Sequence, residues 1–264
     1  MKKMIQHGYI WLVLAFMYLP IMILGVYSFT DSTMIGTIRS FSLHNYVTLF
    51  SEPELLTMMA GTFTLAIGVA IISVILGTSG AMGAYFSKRG YAKGLEIVNE
   101  IPVANADVVT GFSICVFLIV VLGFDKSTYV PLVIAQTVLC TPFVYLSVMP
   151  RLKMMDPALY EAAMDLGSTP AQALRRVVIP QIMPGIVSGF FTAITLSLDD
   201  YFIATYTKPA TFDTISTYVV NATKGSQTKI KTALWALSTV IFVVVVLAVV
   251  IMNVHAARQE EESR

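Results

Sequence analysis

The sequence predicts an all-α polytopic membrane protein, with six transmembrane helices and one long cytoplasmic loop in a single transmembrane domain spanning 1–264. Three observations predict it. Hydrophobic residues make up 56% of the 264 residues and charged residues only 12%, whereas a soluble domain is about a quarter charged. The mean hydropathy is +0.75. Six stretches reach the length of about 20 mostly apolar residues that a spanning helix needs. Lipid solvates such a surface where water does not, and in lipid the backbone must satisfy its own hydrogen bonds, as a helix does.

The first stretch, Tyr9–Phe29, follows Lys2 and Lys3 as a secretory signal would. Its apolar run exceeds a signal core of about 7–15 residues, and no A-x-A site follows, so it reads as a retained anchor. Pro20 predicts a kink there. The second, Met59–Phe86, is long enough to tilt or extend beyond the lipid, and Gly61, Gly68, Gly77, Gly80 and Gly83 predict close helix packing. The third, Ile97–Leu122, holds Pro102, Asn105 and Asp107. The fourth is Val130–Met149, the fifth Met183–Tyr206 and the sixth Ala233–Val254. Tyr9, Trp11, Tyr206 and Trp235 lie near span ends, where aromatic rings anchor at the interface.

With the N-terminus inside, the inner segments carry eleven of the 17 Lys and Arg residues. The positive-inside bias therefore expects both termini in the cytoplasm of a cell (inner or plasma) membrane. Segments 30–58 and 207–232 are then outside, and 150–182 is the longest inner segment.

Several function classes fall away. A net charge of +1 and no long basic run give no nucleic-acid partner. Cys115 and Cys140 lie in apolar segments without CxxC or Cys/His spacing, so neither zinc nor a disulfide framework is expected. His7, His44 and His255 show no metal-ligand spacing. No G-x-x-x-x-G-K-[ST] loop occurs, so this chain is not expected to bind ATP. No Ser/His/Asp or Cys/His arrangement converges, and the chain reads as a non-enzyme with no catalytic residue and no metal.

The inner segment spells two short helices. Asp156 is placed to cap the first, with Pro157 at its first position. Leu159, Ala162, Ala163 and Leu166 fall on one face, and Gly167 ends the helix. Thr169 and Pro170 repeat the start, and Pro180 and Pro184 are expected to stop the second helix. The small residues Ala162 and Ala163 let another surface approach closely, and Glu161 adds a polar contact. This suits a lever docking into a partner's groove. The plainer alternative is an amphipathic hairpin on the bilayer or against its own bundle.

The order Glu161-Ala162-Ala163, three residues, Gly167, nine residues, Val177-x-Ile179-Pro180 resembles the EAA loop of ABC-importer permeases, E-A-A-x3-G-x9-I-x-L-P. Valine and isoleucine stand in for its isoleucine and leucine, and the spacing matches throughout. The resemblance implies that Glu161, Ala162, Ala163, Gly167 and Pro180 belong to a coupling helix seated in a cleft of an ATPase subunit. Tyr18-Leu-Pro-Ile, Tyr27-Ser-Phe, Phe41-Ser-Leu-His-Asn-Tyr46, Asp107-Val-Val-Thr-Gly111, Pro142-Phe-Val-Tyr145 and Ser197-Leu-Asp-Asp-Tyr201 are similar to membrane subunits of spermidine/putrescine importers of the PotC type. After Tyr206 the chain departs from that pattern, reading Thr207-Lys-Pro-Ala-Thr-Phe-Asp213 in place of a glycine-rich turn.

The resemblance implies four partners: a separate ATP-binding subunit, as a dimer holding ATP and Mg, a second homologous permease subunit, an extracytoplasmic solute-binding protein and a polyamine substrate. Related branches carry ferric iron, phosphonates and other solutes.

Three acids stand out, because an ionisable group inside a span costs about 2.5–3.5 kcal/mol on insertion scales. They are Asp107 in the third span and Asp199 and Asp200 in the fifth. Asp199 is about 24 Å along its helix from Met183, near the outer mouth. Acids there suit a cationic solute, and Tyr201 beside them offers an aromatic face to ammonium. Neighbours on a helix point about 100° apart, so one of Asp199 and Asp200 is expected to line the path and the other to make a structural contact, the alternative being that both cap or bridge helices near the interface. The alternative for Asp107 is a hydrogen bond to Asn105 or a neighbouring helix. An ATP-independent secondary transporter would show broken helices in two corresponding halves, and the sequence shows no such paired interruption.

Overall fold

The computed structural model describes residues 2–30, 40–224, 233–244 and 246. Its elements are helical: α1 Lys2–Ser28, α2 His44–Ser51, α3 Pro53–Tyr85, α4 Arg89–Ala104, α5 Asp107–Val116, α6 Val130–Met154, α7 Pro157–Asp165, α8 Pro170–Ala173, α9 Ile179–Asp199, α10 Phe202–Thr207 and α11 Ile215–Lys224. An apolar helix, α12, covers Ala233–Val244. Among the described residues the one extended pairing is an isolated bridge between Thr30 and Phe41.

Among the described residues, four stretches are long and apolar enough to cross a membrane: Tyr9–Ser28, Pro53–Tyr85, Val130–Met154 and Pro170–Asp199. The first, second and fourth predicted spans fall on α1, α3 and α6. The sixth begins at α12, and its remainder to 254, Val246 apart, lies outside the described residues.

The other two spans differ from expectation. The third is broken: α4 and α5 meet at 107°, because Asn105 and Ala106 are both extended. If the bent pair is one span, the described residues hold five. Hydropathy missed the break because the two extended residues sit within the otherwise apolar run Ile97–Leu122, while the first half of α4 is amphipathic. Arg89, Lys93, Glu96 and Glu100 follow one another at helical spacing, and no α4 residue is buried. The fifth begins early and ends early. Pro180 and Pro184 do not stop the chain, since a π-helical turn, Leu174–Val178, joins α8 to α9. In it the Ile179 N–H reaches back five residues to the Leu174 carbonyl. The wider turn relieves the clash a proline ring makes with the carbonyl four residues before it. The helix then breaks at Asp200–Tyr201 and resumes as α10.

The chain divides into two compact units, Met58–Tyr218 and Met1–Thr57 with Val219–Arg264. In the first, α6 and α9 run antiparallel. Gly189 lies against Val144, and Gly185 against Ser147 and Arg151. The Cys140 thiol donates to the Ala193 carbonyl at 3.5 Å. α3 joins the pair at Gly77, where an added Cβ would meet Val144 Cβ at 2.8 Å and the Thr141 carbonyl at 2.9 Å. Small residues let apolar helices approach until their backbones touch, which in lipid is the main source of helix association. Val69, Val144, Val148, Leu152, Val178 and Ile182 fill the core around this seam.

In the second unit, α2 is pinned to the end of α1 by buried Asn45, whose amide donates to the carbonyls of Ser28 at 3.1 Å and Thr30 at 2.9 Å. Tyr46 stacks near Phe29 at 5.0 Å. Tyr27 meets Trp235 edge-on at 5.6 Å.

Between α5 and α6 a second π turn, Phe117–Val121, leads into Gly123, whose φ of 69° turns the chain. Asp125 closes the turn by accepting from the Ser127 amide at 2.8 Å and hydroxyl at 2.6 Å. Those two donors hold its carboxyl below the ordinary aspartate range.

Candidate coupling surface and solute path

Segment 150–182 folds as its caps require. Asp156 Oδ1 accepts from the Ala158 N–H at 2.9 Å, and Pro157 opens α7. Gly167 takes a φ of 84°, which only glycine adopts without strain, and its N–H donates to the Met164 carbonyl at 2.9 Å. Thr169 and Gln172 then cap each other. Thr169 Oγ1 accepts from the Gln172 N–H at 3.4 Å, and Gln172 Oε1 accepts from the Thr169 N–H at 3.1 Å. This reciprocal box opens α8.

α7 has an inner and an outer face. Tyr160 packs against the core, its ring 4.9 Å from that of Phe86. The opposite face is bare: Leu166 is 88% exposed and Leu159 41%, and Glu161 and Ala162 are exposed beside them. Ala163 is half-buried. Among the described residues, Leu159, Ala162 and Leu166 of the apolar face read from the sequence are thus left exposed. Pro180 lies apart from it, exposed in the first turn of α9.

The acids are brought together by the two helix breaks. α5 packs along α10 in the same chain direction. An added Cβ on Gly111 would meet Ile203 Cα at 3.0 Å. The Cys115 thiol donates to the Tyr206 carbonyl at 3.2 Å, and the rings of Phe112 and Tyr206 are 5.7 Å apart. Asp107 opens α5 one turn before Gly111, and Asp200 lies at the break just before α10, so these two carboxylates lie at the same end of this packing, with Asp199 next to Asp200 in the chain. Asp107 is exposed in the first turn of α5, where a negative charge faces the positive end of the helix dipole. It does not take the Asn105 side chain, which donates instead to Thr110 Oγ1 at 3.0 Å. Asp199 is exposed and Tyr201 half-buried.

Asp200 differs from both, being 8% exposed. Its Oδ1 accepts from the Ile203 N–H at 3.0 Å, and its Oδ2 from the Ala204 N–H at 3.0 Å and Gln136 Nε2 at 3.1 Å. The other end of Gln136 accepts from the Ser197 hydroxyl at 2.7 Å, and Ser216 donates to the Asp200 carbonyl. Gln136, Ser197 and Ser216 were missed by sequence reasoning, which looked for charges. The signal was present, since an amide side chain inside the apolar run Val130–Met149 needs a partner for the same reason an acid does. Glu100, within the predicted third span, was passed over likewise, and it is exposed on α4.

Beyond the acids, the segment that departs from a glycine-rich turn is tied down. Lys208 pairs with Asp213 at 2.9 Å. Phe212 lies where a Cβ on Gly61 would be, 2.7 Å away, and against the Tyr129 ring at 5.3 Å.

Comparison with known proteins agrees with this architecture. The putrescine transport system permease protein PotI of Escherichia coli K12 is 31% identical over 72% of this chain and 70% of its own length. The spermidine/putrescine transport system permease protein PotC of Haemophilus influenzae is 26% identical over 94% of this chain and 95% of its own. A crystal structure of a bacterial alginate ABC transporter, in complex with its alginate pentasaccharide-bound periplasmic protein, contains a chain of the same fold. Its TM-score is 0.73 at 20% identity, covering 97% of this chain and 93% of that one. Residues 2–260 match the family described as binding-protein-dependent transport system inner membrane component. The chain belongs to that family, the multi-pass membrane permease subunits of ABC importers, which are not enzymes.

Proposed function

We propose that this chain is the permease subunit of an ATP-driven importer of spermidine and putrescine, with six spans and both termini cytoplasmic. The observation that carries the solute reading is the gathering of Asp107 and Asp199 beside Tyr201, in a chain whose relatives are polyamine permeases. Two exposed carboxylates attract a di- or triammonium chain, and an aromatic face holds an ammonium group as it sheds water. The bare face of α7 supports the coupling reading. It offers Leu159, Ala162 and Leu166 to a groove, with Glu161 as its polar contact and Gly167 as its fixed end.

A solute-binding protein delivers cargo to the outer side. ATP and Mg, held by the partner ATPase dimer, close that dimer and pull α7. This chain and a second, homologous permease subunit rock against each other, and the path changes sides. This chain supplies no nucleotide site of its own. Pro180, at the root of α9, passes the movement from the loop into the span.

The test is uptake of radiolabelled spermidine and putrescine, with a ferric complex and a phosphonate as comparison solutes. The vesicles carry the chain with its companion subunits, with and without ATP. Polyamine uptake should require ATP, and Asp199→Asn should raise its KM about tenfold, the loss of one charge-assisted contact. ATP hydrolysis stimulated by another solute's binding protein, without polyamine uptake, would keep the importer and discard the polyamine. Uptake indifferent to ATP would overturn the coupled reading in favour of a secondary transporter.

A further inference from the structure

We infer that Asp200 is a positioning residue and not a solute ligand. With Gln136 and Ser197 it forms a buried clamp that holds the break between α9 and α10, and so presents Asp199 and Tyr201 to the path. The assignment of Asp199 to the solute rests on the polyamine reading above; the clamp itself does not.

The geometry points this way at each atom. Both oxygens of Asp200 are taken by first-turn amides of α10, those of Ile203 and Ala204, and Oδ2 also accepts from Gln136. Those amides belong to the orphan donors that open a helix, and a carboxylate is among their best acceptors. Gln136 is fully buried and Ser197 1% exposed. The Gln136 amide spends its N–H on Asp200 and its carbonyl on Ser197. One side chain of α6 thus ties the last turn of α9 to the residue whose carboxylate accepts from the first turn of α10. Ser216 holds the Asp200 carbonyl from the other side. An ammonium group reaching Asp200 would have to displace these donors, whereas the adjacent Asp199 is exposed. The neighbouring acids therefore divide the work that either could do by sequence alone.

The roles separate by what each position needs. Asp200 needs acceptors, and Asp200→Asn keeps one of the two while turning an NH2 toward the remaining donors, so it should lower the maximal uptake rate less than Asp200→Ala does, with KM unchanged. Asp200→Ala, and Gln136→Leu, which removes the tie while filling the space, should each lower the rate about tenfold or more through loss of buried hydrogen bonds. Asp199 needs a charge, so Asp199→Asn should raise KM as much as Asp199→Ala does.

A second measurement is independent of the solute and of transport. In the assembled importer, with Cys115 and Cys140 replaced by alanine, a membrane-impermeant thiol reagent should label Asp199→Cys and leave Asp200→Cys unlabelled. If no polyamine is carried, this pattern still stands, and only the partner of Asp199 changes. Asp200→Asn raising KM as Asp199→Asn does, or Asp200→Cys labelling as readily as Asp199→Cys, would overturn the clamp.

Discussion

The helix that runs from Pro170 to Asp199 is finished differently at its two ends. At its N-terminal end the hydrogen bonds reach three residues along the chain, between Thr169 and Gln172, and are exposed, as is the Asp156 cap of the preceding α7. At the other end they reach 61 to 64 residues, from Gln136 to Ser197 and Asp200, and are buried. A locally capped surface keeps its shape alone and leaves its outer face exposed. A buried end held from a distant helix keeps its shape only while the bundle is packed. Under the proposed coupling, the first suits a part that is pushed, and the second a part that must stay put while the push arrives.

The widest consequence concerns the seam that carries the buried end. An added Cβ on Gly185 would come 2.9 Å from the Ser147 carbonyl and 3.3 Å from Val148 Cα, both backbone atoms. Gly185→Leu should therefore cost about 3 kcal/mol or more by overpacking and remove the assembled complex from size-exclusion profiles. Next comes the clamp. Gln136→Leu should cost about 2 kcal/mol, since it leaves buried acceptor and donor groups unpaired, read as a fall in the melting temperature of the detergent-solubilised complex. At the N-terminal end and the preceding α7 the effects shrink: Asp156→Ala and Thr169→Ala should each cost about 1 kcal/mol, the worth of one helix cap. Smallest is Leu166→Ser, on a side chain 88% exposed, which should leave stability within about 0.5 kcal/mol while lowering ATP-dependent uptake. If Leu166→Ser destabilised the complex more than Gln136→Leu did, the contrast between the two ends would fail.

The same contrast explains what the sequence could say. Asp156-Pro157, Gly167 and Thr169-Pro170 are short-range signals, and the structure forms two helices with those caps. Apolar runs located α1, α3 and α6 because hydropathy needs only a window of neighbours. The breaks at Asn105–Ala106 and Asp200–Tyr201 were not legible. The first turns on two extended residues within an otherwise apolar segment, and the second on a carboxylate satisfied by a side chain on another helix. Pro180 misled because a proline reads as a stop, while the widened turn before it lets the helix continue. That Asp199 and Asp200 have different surroundings followed from their 100° separation, but which was buried depended on Gln136, 64 residues away.

The measurement that tests the central claim most directly is ATP-dependent spermidine uptake by the assembled importer with wild-type chain and with Glu161→Arg. Glu161 is exposed on the bare side of α7, so the substitution should leave assembly intact. Uptake should fall about tenfold or more, because a reversed charge turns a docking contact into a repulsion. Glu161→Arg complexes that form normally and import spermidine at the wild-type rate would contradict the account.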